Sequence, residues 1–553
     1  MTMLAPLAEI WMPSPPDLRL FGAELSLVAA IVALLVLSML FGRSERLGAG
    51  VALAAAVAVI FFCRDTAGLV DTAARTGLTP PGAAPMLIAD RFTVFFKLLL
   101  ALFLATIVWL WMTGTAACRP ERGGARPVPA GPEFFVLLLT SMLGMSLMLA
   151  TPNLLVMMIA VETASLPSYV LAASDRRSRA GAEAALKYVL FGATTAAVMA
   201  YGLSLLFGLF GSLDLTAIAA AASGGMPALG WIAMAAFLTG VAFKISAVPL
   251  HFWCPDVFEG APVEVATWLS VASKAAGLGL LLRIVAAFGG GVPDTIALPL
   301  AWGIGLVAAV TCTLGNLAAL RQDSVKRMLA YSSIAHAGYM MMAAALPPGE
   351  AGHGGIRPAM AAIVSYLFVY LLMNLGAFGV TAMVAWSQGS DRLAAFTGLG
   401  RRAPWLAVPM SVCLFSLVGL PPLAGFAAKW WLLAALGQGT ERYPWLWWLV
   451  LVAVINTAIS LYYYVRVIRQ MFLADDARLE RPAVPVGGLA LANGCAVLLL
   501  LLGTVAFGLM RDRSQAYAAC LAAGPPADVL PAGDPLARGV SPAGDRGIEA
   551  QRP

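Results

Sequence analysis

Long apolar stretches recur from residue 22 to residue 509, and each can cross the hydrocarbon core of a bilayer, which takes roughly 20 residues of helix. A soluble protein built from such helices would need polar faces on the outer ones, and none is present. Charge agrees: 12% of residues are charged, against about 25% in an ordinary soluble domain. The chain is therefore expected to be an all-α integral membrane protein.

The spacing predicts fourteen spans, near 22–42, 48–63, 92–113, 134–150, 153–173, 186–209, 231–250, 262–286, 298–319, 326–346, 358–386, 404–437, 446–471 and 488–509. The second is short and the twelfth long and interrupted. Arginine placement tests this pattern independently, because cytoplasmic loops collect Lys and Arg. With the N-terminus outside, the cytoplasmic loops hold Arg43 and Arg46, then Arg119, Arg122 and Arg126, then Arg176, Arg177 and Arg179. Further on they hold Arg321, Lys326 and Arg327, then Arg392, Arg401 and Arg402, and finally Arg469 and Arg481. Both termini are thus expected on the periplasmic side of a cell inner membrane. The first 20 residues carry no basic stretch ahead of the first apolar run, so that run is expected to be a retained span. The segment 510–553, rich in Pro, Ala, Gly and Asp, is expected to be disordered and to supply neither a lateral helix nor another span.

Several chemistries are excluded. The seven cysteines have no metal-ligand spacing, and three histidines do not suggest a haem site. There is no strand–GxGxxG–helix unit and no P-loop. No metal and no cofactor is expected in this chain, and nothing points to nucleic acid.

Lysine carries the functional signal. Only six are present, Lys97, Lys187, Lys244, Lys274, Lys326 and Lys429, and most fall in apolar spans while arginine supplies the loops. Lysine can lose its proton when desolvated and arginine effectively cannot, so a buried cation that must switch charge should be lysine. Its insertion at a helix centre costs about 2.5–3.5 kcal/mol. Snorkelling to the headgroups is the plainer reading, and it suits Lys97 near the start of its span. It fits Lys244 and Lys274 poorly. Glu162 lies mid-span and needs a partner. The next span offers Lys187, with Glu183 one turn earlier, so a Glu162–Lys187 pair is expected; a static pair that fixes helix register is the alternative. His336 follows Tyr331, Ser332 and Ser333 in a hydratable stripe, or is a satisfied core histidine.

Two spans carry breaks. Pro249, Pro255, Gly260 and Pro262 follow Lys244, and Gly419, Pro421, Pro422 and Gly425 precede Lys429. Proline interrupts the helix ladder, and unwound backbone within a membrane is tolerated where it lines a cavity or is buried in protein. The broken spans are the seventh and twelfth, five apart. An odd-numbered unit repeats upside down, so spans 4–8 (134–286) and 9–13 (298–471) are expected to be inverted copies, flanked by residues 1–133 with spans 1–3 and by span 14 at 488–509.

The same residues resemble a known family. Phe243 through Trp253, continuing through Pro255-Asp256-Val257 and Gly260-Ala261-Pro262, is similar to the broken seventh helix of the antiporter-like membrane subunits of proton-pumping NADH:quinone oxidoreductase (complex I). Ala272-Ser273-Lys274 resembles their eighth helix, Ser324 through Ile334 their tenth, and Gly419 through Phe426 with Lys429 their twelfth. The run Asp256 through Pro262 followed by Ser273-Lys274 looks most like the N type. The resemblance covers about residues 20–510.

It implies a translocase subunit that moves protons while electrons pass from NADH to quinone elsewhere. FMN, iron–sulfur clusters, NADH and quinone would sit on partner subunits, and the partners would be the M and L antiporter-like types and the small K and J types. Glu162 and Lys187 would form a gating pair and Lys244 the first switch. Lys274 would begin a hydrated relay past His336, and Lys429 would end it. A neutralised Glu162 would release Lys187 toward Lys244, where two charges about 4 Å apart interact by roughly 4 kcal/mol. A multisubunit cation/proton antiporter or a proton-pumping hydrogenase shares these features. A transporter of organic solutes would need a midplane pocket of substrate-specific polar groups in place of a chain of titratable ones.

Overall fold

The computed structural model describes residues 13–72, 77–79, 84–117, 131–175, 178–288, 292–347, 356–474, 481–482 and 484–522. The architecture is helical. The helices used below are α1 (Gly22–Phe41), α2 (Glu45–Thr72), α3 (Arg91–Ala117), α4 (Pro132–Ala150), α5 (Leu154–Ala172), α6 (Arg179–Phe210) and α7 (Ala228–Ile245). There follow α8 (Trp253–Gly260), α9 (Val263–Trp268), α10 (Lys274–Ala287), α11 (Asp294–Ala319), α12 (Val325–Ala344) and α13 (Ile356–Gln388). The last are α14 (Pro404–Val418), α15 (Ala424–Gly439), α16 (Trp447–Phe472), α17 (Val486–Thr504) and α18 (Phe507–Ala522).

Among the described residues, twelve helices are long and apolar enough to cross a membrane. They coincide with every expected span except the tenth and the twelfth. The tenth is α12, whose serines, tyrosines and His336 dilute its apolar character. The twelfth is divided into α14 and α15, each shorter than a full crossing. The second span is not short: α2 runs for 28 residues. The sixth begins at Arg179, which places Lys187 inside the helix.

The ends of the helices follow from local chemistry. Asn153 caps α5, its side chain accepting from the amides of Leu155 and Val156 at 3.0 and 3.2 Å. Ser324 caps α12 by accepting from Arg327 N at 3.2 Å. Each satisfies donors that the first helical turn leaves unpaired. α14 ends at Gly419 in the left-handed conformation that glycine adopts without penalty. α7 ends at Ser246 in the same conformation with φ 65°, the only non-glycine residue with positive φ among those described.

The two halves repeat one another in hydrogen-bond detail. In the first, Leu154 N donates to Leu213 O and Leu215 N to Pro152 O; in the second, Val325 N donates to Asp391 O and Leu393 N to Asp323 O. At the breaks, Ser246 N bonds Phe243 O and Ala247 N bonds Ala242 O. Gly419 N bonds Ser416 O and Leu420 N bonds Phe415 O in the same way. The loop preceding the second helix of each unit is thus stitched to the loop following the third, and both seventh-type helices unwind by the same two bonds.

Burial does not follow apolarity. α1 is the most apolar span, yet only 17% of its apolar window is buried; for α13 and for the span Val263–Ala287 the figure is 94%. Lipid is as good a solvent for leucine as protein is, so the most apolar helices gain nothing by going inside, whereas helices with polar groups must.

The expectation of disorder after residue 510 fails at its start. α18 continues to Ala522 and packs along α13, with Ser365 Oγ donating to Ser514 Oγ at 2.6 Å in a buried setting. Met510 and Ser514, one turn apart, form the packed face; the charged residues between them hid it in the sequence. Residues 523–553 lie outside the described ones.

Candidate proton-transfer chain

The first break places Lys244 at the last turn of α7, fully buried. Its Nζ donates to Ser165 Oγ on α5 at 3.1 Å. Glu162, one turn before Ser165 on α5, acts on Lys244 through its charge. Ser168, one turn further, is 3.2 Å from Ser141 on α4. Ser165 thus holds the buried ammonium, and the Ser168–Ser141 pair one turn further joins α5 to α4.

Lys187 does not pair with Glu162. Its Nζ lies 2.8 Å from Asp256 Oδ2 and 2.8 Å from Glu183 Oε1, and its side chain is 39% exposed. Arg327 completes a network, 2.8 Å from Asp256 Oδ1 and 2.5 Å from Glu259 Oε2. The expected Glu162–Lys187 pair is corrected because α6 starts seven residues earlier than the apolar pattern suggested. The carboxylates of Asp256 and Glu183 meet Lys187 at that end, where water access makes charge pairing cheaper than it would be beside Glu162.

The span that carries Lys274 opens α-helical as α9, takes one wider turn of π-helix over Leu269–Ser273, and resumes as α10 at Lys274 itself. Such turns are frequent at functional positions because they rotate the following side chains and loosen the local ladder. Ser273 Oγ donates to Lys244 O at 3.4 Å, which ties the two lysine sites together. Lys274 Nζ donates to Ser333 Oγ on α12 at 2.5 Å, contacts Cys254 Sγ at 3.6 Å and lies 5.1 Å from the centre of the Phe258 ring.

From Ser333 the polar groups follow one face of α12 at helical spacing: Ser333, His336, Tyr339. His336 is buried, 2.6 Å from Tyr366 Oη through Nδ1 and 3.3 Å from Tyr464 Oη through Nε2. Tyr464 Oη in turn meets Ser332 Oγ at 2.5 Å. The charges of both Lys274 and Lys429 reach His336. Tyr339 then lies under Lys429, whose Nζ is 4.6 Å from the ring centre. Lys429 Nζ donates to Leu417 O and Val418 O, both at 3.0 Å, the carbonyls that the break after α14 leaves without helical donors. The structure thus buries Lys244, Lys274, His336 and Lys429, leaves Glu162 half-buried one turn from the Ser165 that holds Lys244, and sets Lys187 apart with Asp256 and Glu183.

Sequence reasoning missed several buried charges. Lys97 does not snorkel. It is paired with Glu24 of α1 at 2.7 Å, with side chains 2% and 7% exposed, and Ser146 Oγ donates to the same carboxylate at 2.6 Å. Arg283 in α10 is buried against Asp90 at 2.9 Å and donates through Nε to Leu149 O. Glu264 at the start of α9 is 1% exposed. Each lies near a predicted span end, where a charge reads as an interfacial one.

Residues 151–460, which include all six candidate residues, match the family model described as "NADH:quinone oxidoreductase/Mrp antiporter, TM". The chain is 38% identical over 509 residues to NADH-quinone oxidoreductase subunit N of Anaeromyxobacter sp. (strain Fw109-5), covering 87% of this chain and 93% of that one. It is 40% identical over 499 residues to NADH-quinone oxidoreductase subunit N 2 of Sorangium cellulosum (strain So ce56), covering 88% and 94%. Among solved structures, a chain of respiratory complex I from Thermus thermophilus with bound Aureothin superposes with a TM-score of 0.68 at 32% identity, covering 88% of this chain and 98% of that one. A chain of the Mrp complex from Dietzia sp. DQ12-45-1b gives a TM-score of 0.77 at 21% identity, covering 93% and 99%, a likeness of fold alone.

Proposed function

This chain belongs to the NADH:quinone oxidoreductase/Mrp antiporter family of membrane proteins, and from that premise we propose that it carries protons along the line Glu162, Lys244, Lys274, His336, Lys429. It is a membrane subunit of N type in an NADH:quinone oxidoreductase, a multisubunit translocase whose electron transfer runs in other chains. Its partners are other subunits of that complex, which we take to include the M and L antiporter-like types and the small K and J types, with FMN, iron–sulfur clusters, NADH and quinone held elsewhere. We place it in the cell inner membrane with both termini periplasmic and the Arg-rich loops in the cytoplasm.

The observation that carries the reading is α12. One helix face presents Ser333 to Lys274, His336 to the middle and Tyr339 to Lys429, so a single polar stripe spans the interval between the two broken helices. A neutral amine at Lys274 accepts a proton from its first-half neighbours; as an ammonium it donates through the Ser333 hydroxyl toward His336 and then Lys429. Burial makes the ammonium of each lysine costly unless hydrogen-bond acceptors surround it. Lys187 supplies the field. Held by Asp256 and Glu183 it is remote from Lys244; drawn inward toward Glu162 it repels the proton on Lys244.

The test is NADH-driven proton uptake in inverted membrane vesicles carrying Lys274→Ala, with complex assembly and quinone reduction followed in the same preparation. Lost uptake and slowed quinone reduction in an assembled complex are expected. Wild-type uptake would reject the relay. The relatives at 38% and 40% identity are oxidoreductase subunits, which favours this over a stand-alone cation/proton antiporter of the same fold.

A further inference from the structure

Glu264 stands two residues into α9, wholly enclosed, and its Oε1 meets no hydrogen-bond donor. A carboxylate oxygen left in that condition is costly, and the site is stable only if the group takes up a proton or is reached by water. The neighbouring charge is Lys326, at the start of α12. Lys326 is anchored by donating to Glu259 O at 2.9 Å and Ala261 O at 3.2 Å, so its ammonium is held at the turn just before α9. Asp391 and Glu259 are the other acidic groups whose charge reaches Lys326. This end of the bundle is the one that carries Arg321 and Arg327, the Arg-rich side.

From Glu264 a polar line continues along the same span. Thr267, Ser270 and Lys274 follow at intervals of three, three and four residues, so that each lies about one turn beyond the one before. All are buried. Thr267 Oγ1 donates to Val263 O at 2.6 Å and Ser270 Oγ to Thr267 O at 2.7 Å, so each hydroxyl satisfies its own proton locally and keeps lone pairs to accept another. The π-helical turn over Leu269–Ser273 lies between Ser270 and Lys274, at the point where the line must reach the lysine.

We propose that Glu264 is the group through which Lys274 is reloaded, receiving a proton from water at the Lys326 end of the span and passing it along Thr267 and Ser270. The step balances simply. The carboxylate gains an O–H bond from hydronium; that bond then breaks as an N–H bond forms on the neutral amine of Lys274, returning carboxylate and ammonium. Lys326, anchored on the carbonyls of Glu259 and Ala261 at the turn that opens α9, is a positioning residue. This rests on the reading that Lys274 belongs to a proton relay.

The test uses the assembled complex in inverted membrane vesicles with Glu264→Gln, Glu264→Asp and Lys274→Ala side by side. Glu264→Gln keeps the shape and hydrogen bonding but cannot carry the proton. Its NADH-driven proton uptake should fall by about a hundredfold, the low end of what a lost proton-transfer group costs, at normal assembly. Glu264→Asp should recover most of it. If Lys274→Ala stops uptake while Glu264→Gln pumps at the wild-type rate, the Glu264 role is overturned and the relay stands. If Lys274→Ala pumps normally, the relay itself falls. Should Glu264→Gln fail to assemble, the native complex is treated with a hydrophobic carbodiimide, which attacks protonated carboxyls in apolar sites. An adduct on Glu264 with loss of pumping supports the role; an adduct with full pumping, or no adduct, overturns it.

Discussion

Lys187 Nζ is held 2.8 Å from Asp256 Oδ2, across from the helix break that follows Lys244. The pair joins α6 to α8, and Arg327 of α12 shares the same carboxylate. In the proposed relay, Asp256 is the outer resting place of the Lys187 charge. In the assembled complex Asp256→Asn should leave assembly intact, because a partly exposed pair contributes only about 0–1 kcal/mol. It should lower proton uptake severalfold by removing the outer resting place. Uptake measured at wild-type rate would make the pair a surface contact without bearing on transport.

Lys429 has two separable tasks. It satisfies the carbonyls of Leu417 and Val418, and it ends the polar stripe of α12. Lys429→Met removes charge-assisted bonds worth about 1.5–3 kcal/mol each and should lower both thermal stability and pumping. Lys429→Arg keeps a cation and donors but cannot release a proton. It should hold most of the stability and still fail to pump. Equal pumping by the arginine variant and wild type would remove Lys429 from the relay.

The Glu24–Lys97 pair is enclosed among α1, α3 and α4. Breaking one side of such a pair leaves an uncompensated charge, so Glu24→Leu or Lys97→Met alone should destabilise by about 3–5 kcal/mol. The double variant should recover most of that loss. The readout is the melting temperature of the purified complex together with its membrane abundance. A double variant as damaged as the singles would mean the pair does more than fix α1 against α3.

Ser246 occupies a left-handed backbone position, with its Oγ buried and without a partner. Left-handed geometry costs a side-chain-bearing residue roughly 1–2 kcal/mol. Ser246→Gly should therefore be neutral or stabilising in a thermal melt of the complex. Ser246→Val should destabilise it, since a β-branched side chain suits that conformation least. Matching melts for the two would show that the break relaxes freely.

Much of the site was legible before any fold was known. Lys244, Lys274, His336 and Lys429 stood out because ionisable residues are rare within apolar runs, and the breaks stood out because proline and glycine act on the backbone locally. Glu264, Glu24 and Arg283 were not legible. Each sits near a span end, where the same residue in another fold would reach headgroup water. The Glu162–Lys187 pairing failed for a related reason: helical spacing fixes which residues share a face but not which neighbour that face meets. α18 was hidden because its packed face is narrow and lies between charged residues.

The sequence by itself determined the helical membrane class, the order of the apolar helices, the two breaks five spans apart and the lysines placed in the membrane. These follow from hydropathy, proline and lysine, which act over a turn or two of chain. Only the tertiary structure decided that α13 and the Val263–Ala287 span lie inside while the more apolar α1 lies outside, and that Lys187 meets Asp256. It alone decided that α12 bridges Lys274 to Lys429. Apolar surface looks the same whether it faces lipid or protein, and the partner of a buried charge depends on how each helix is rotated about its axis, which no local pattern encodes.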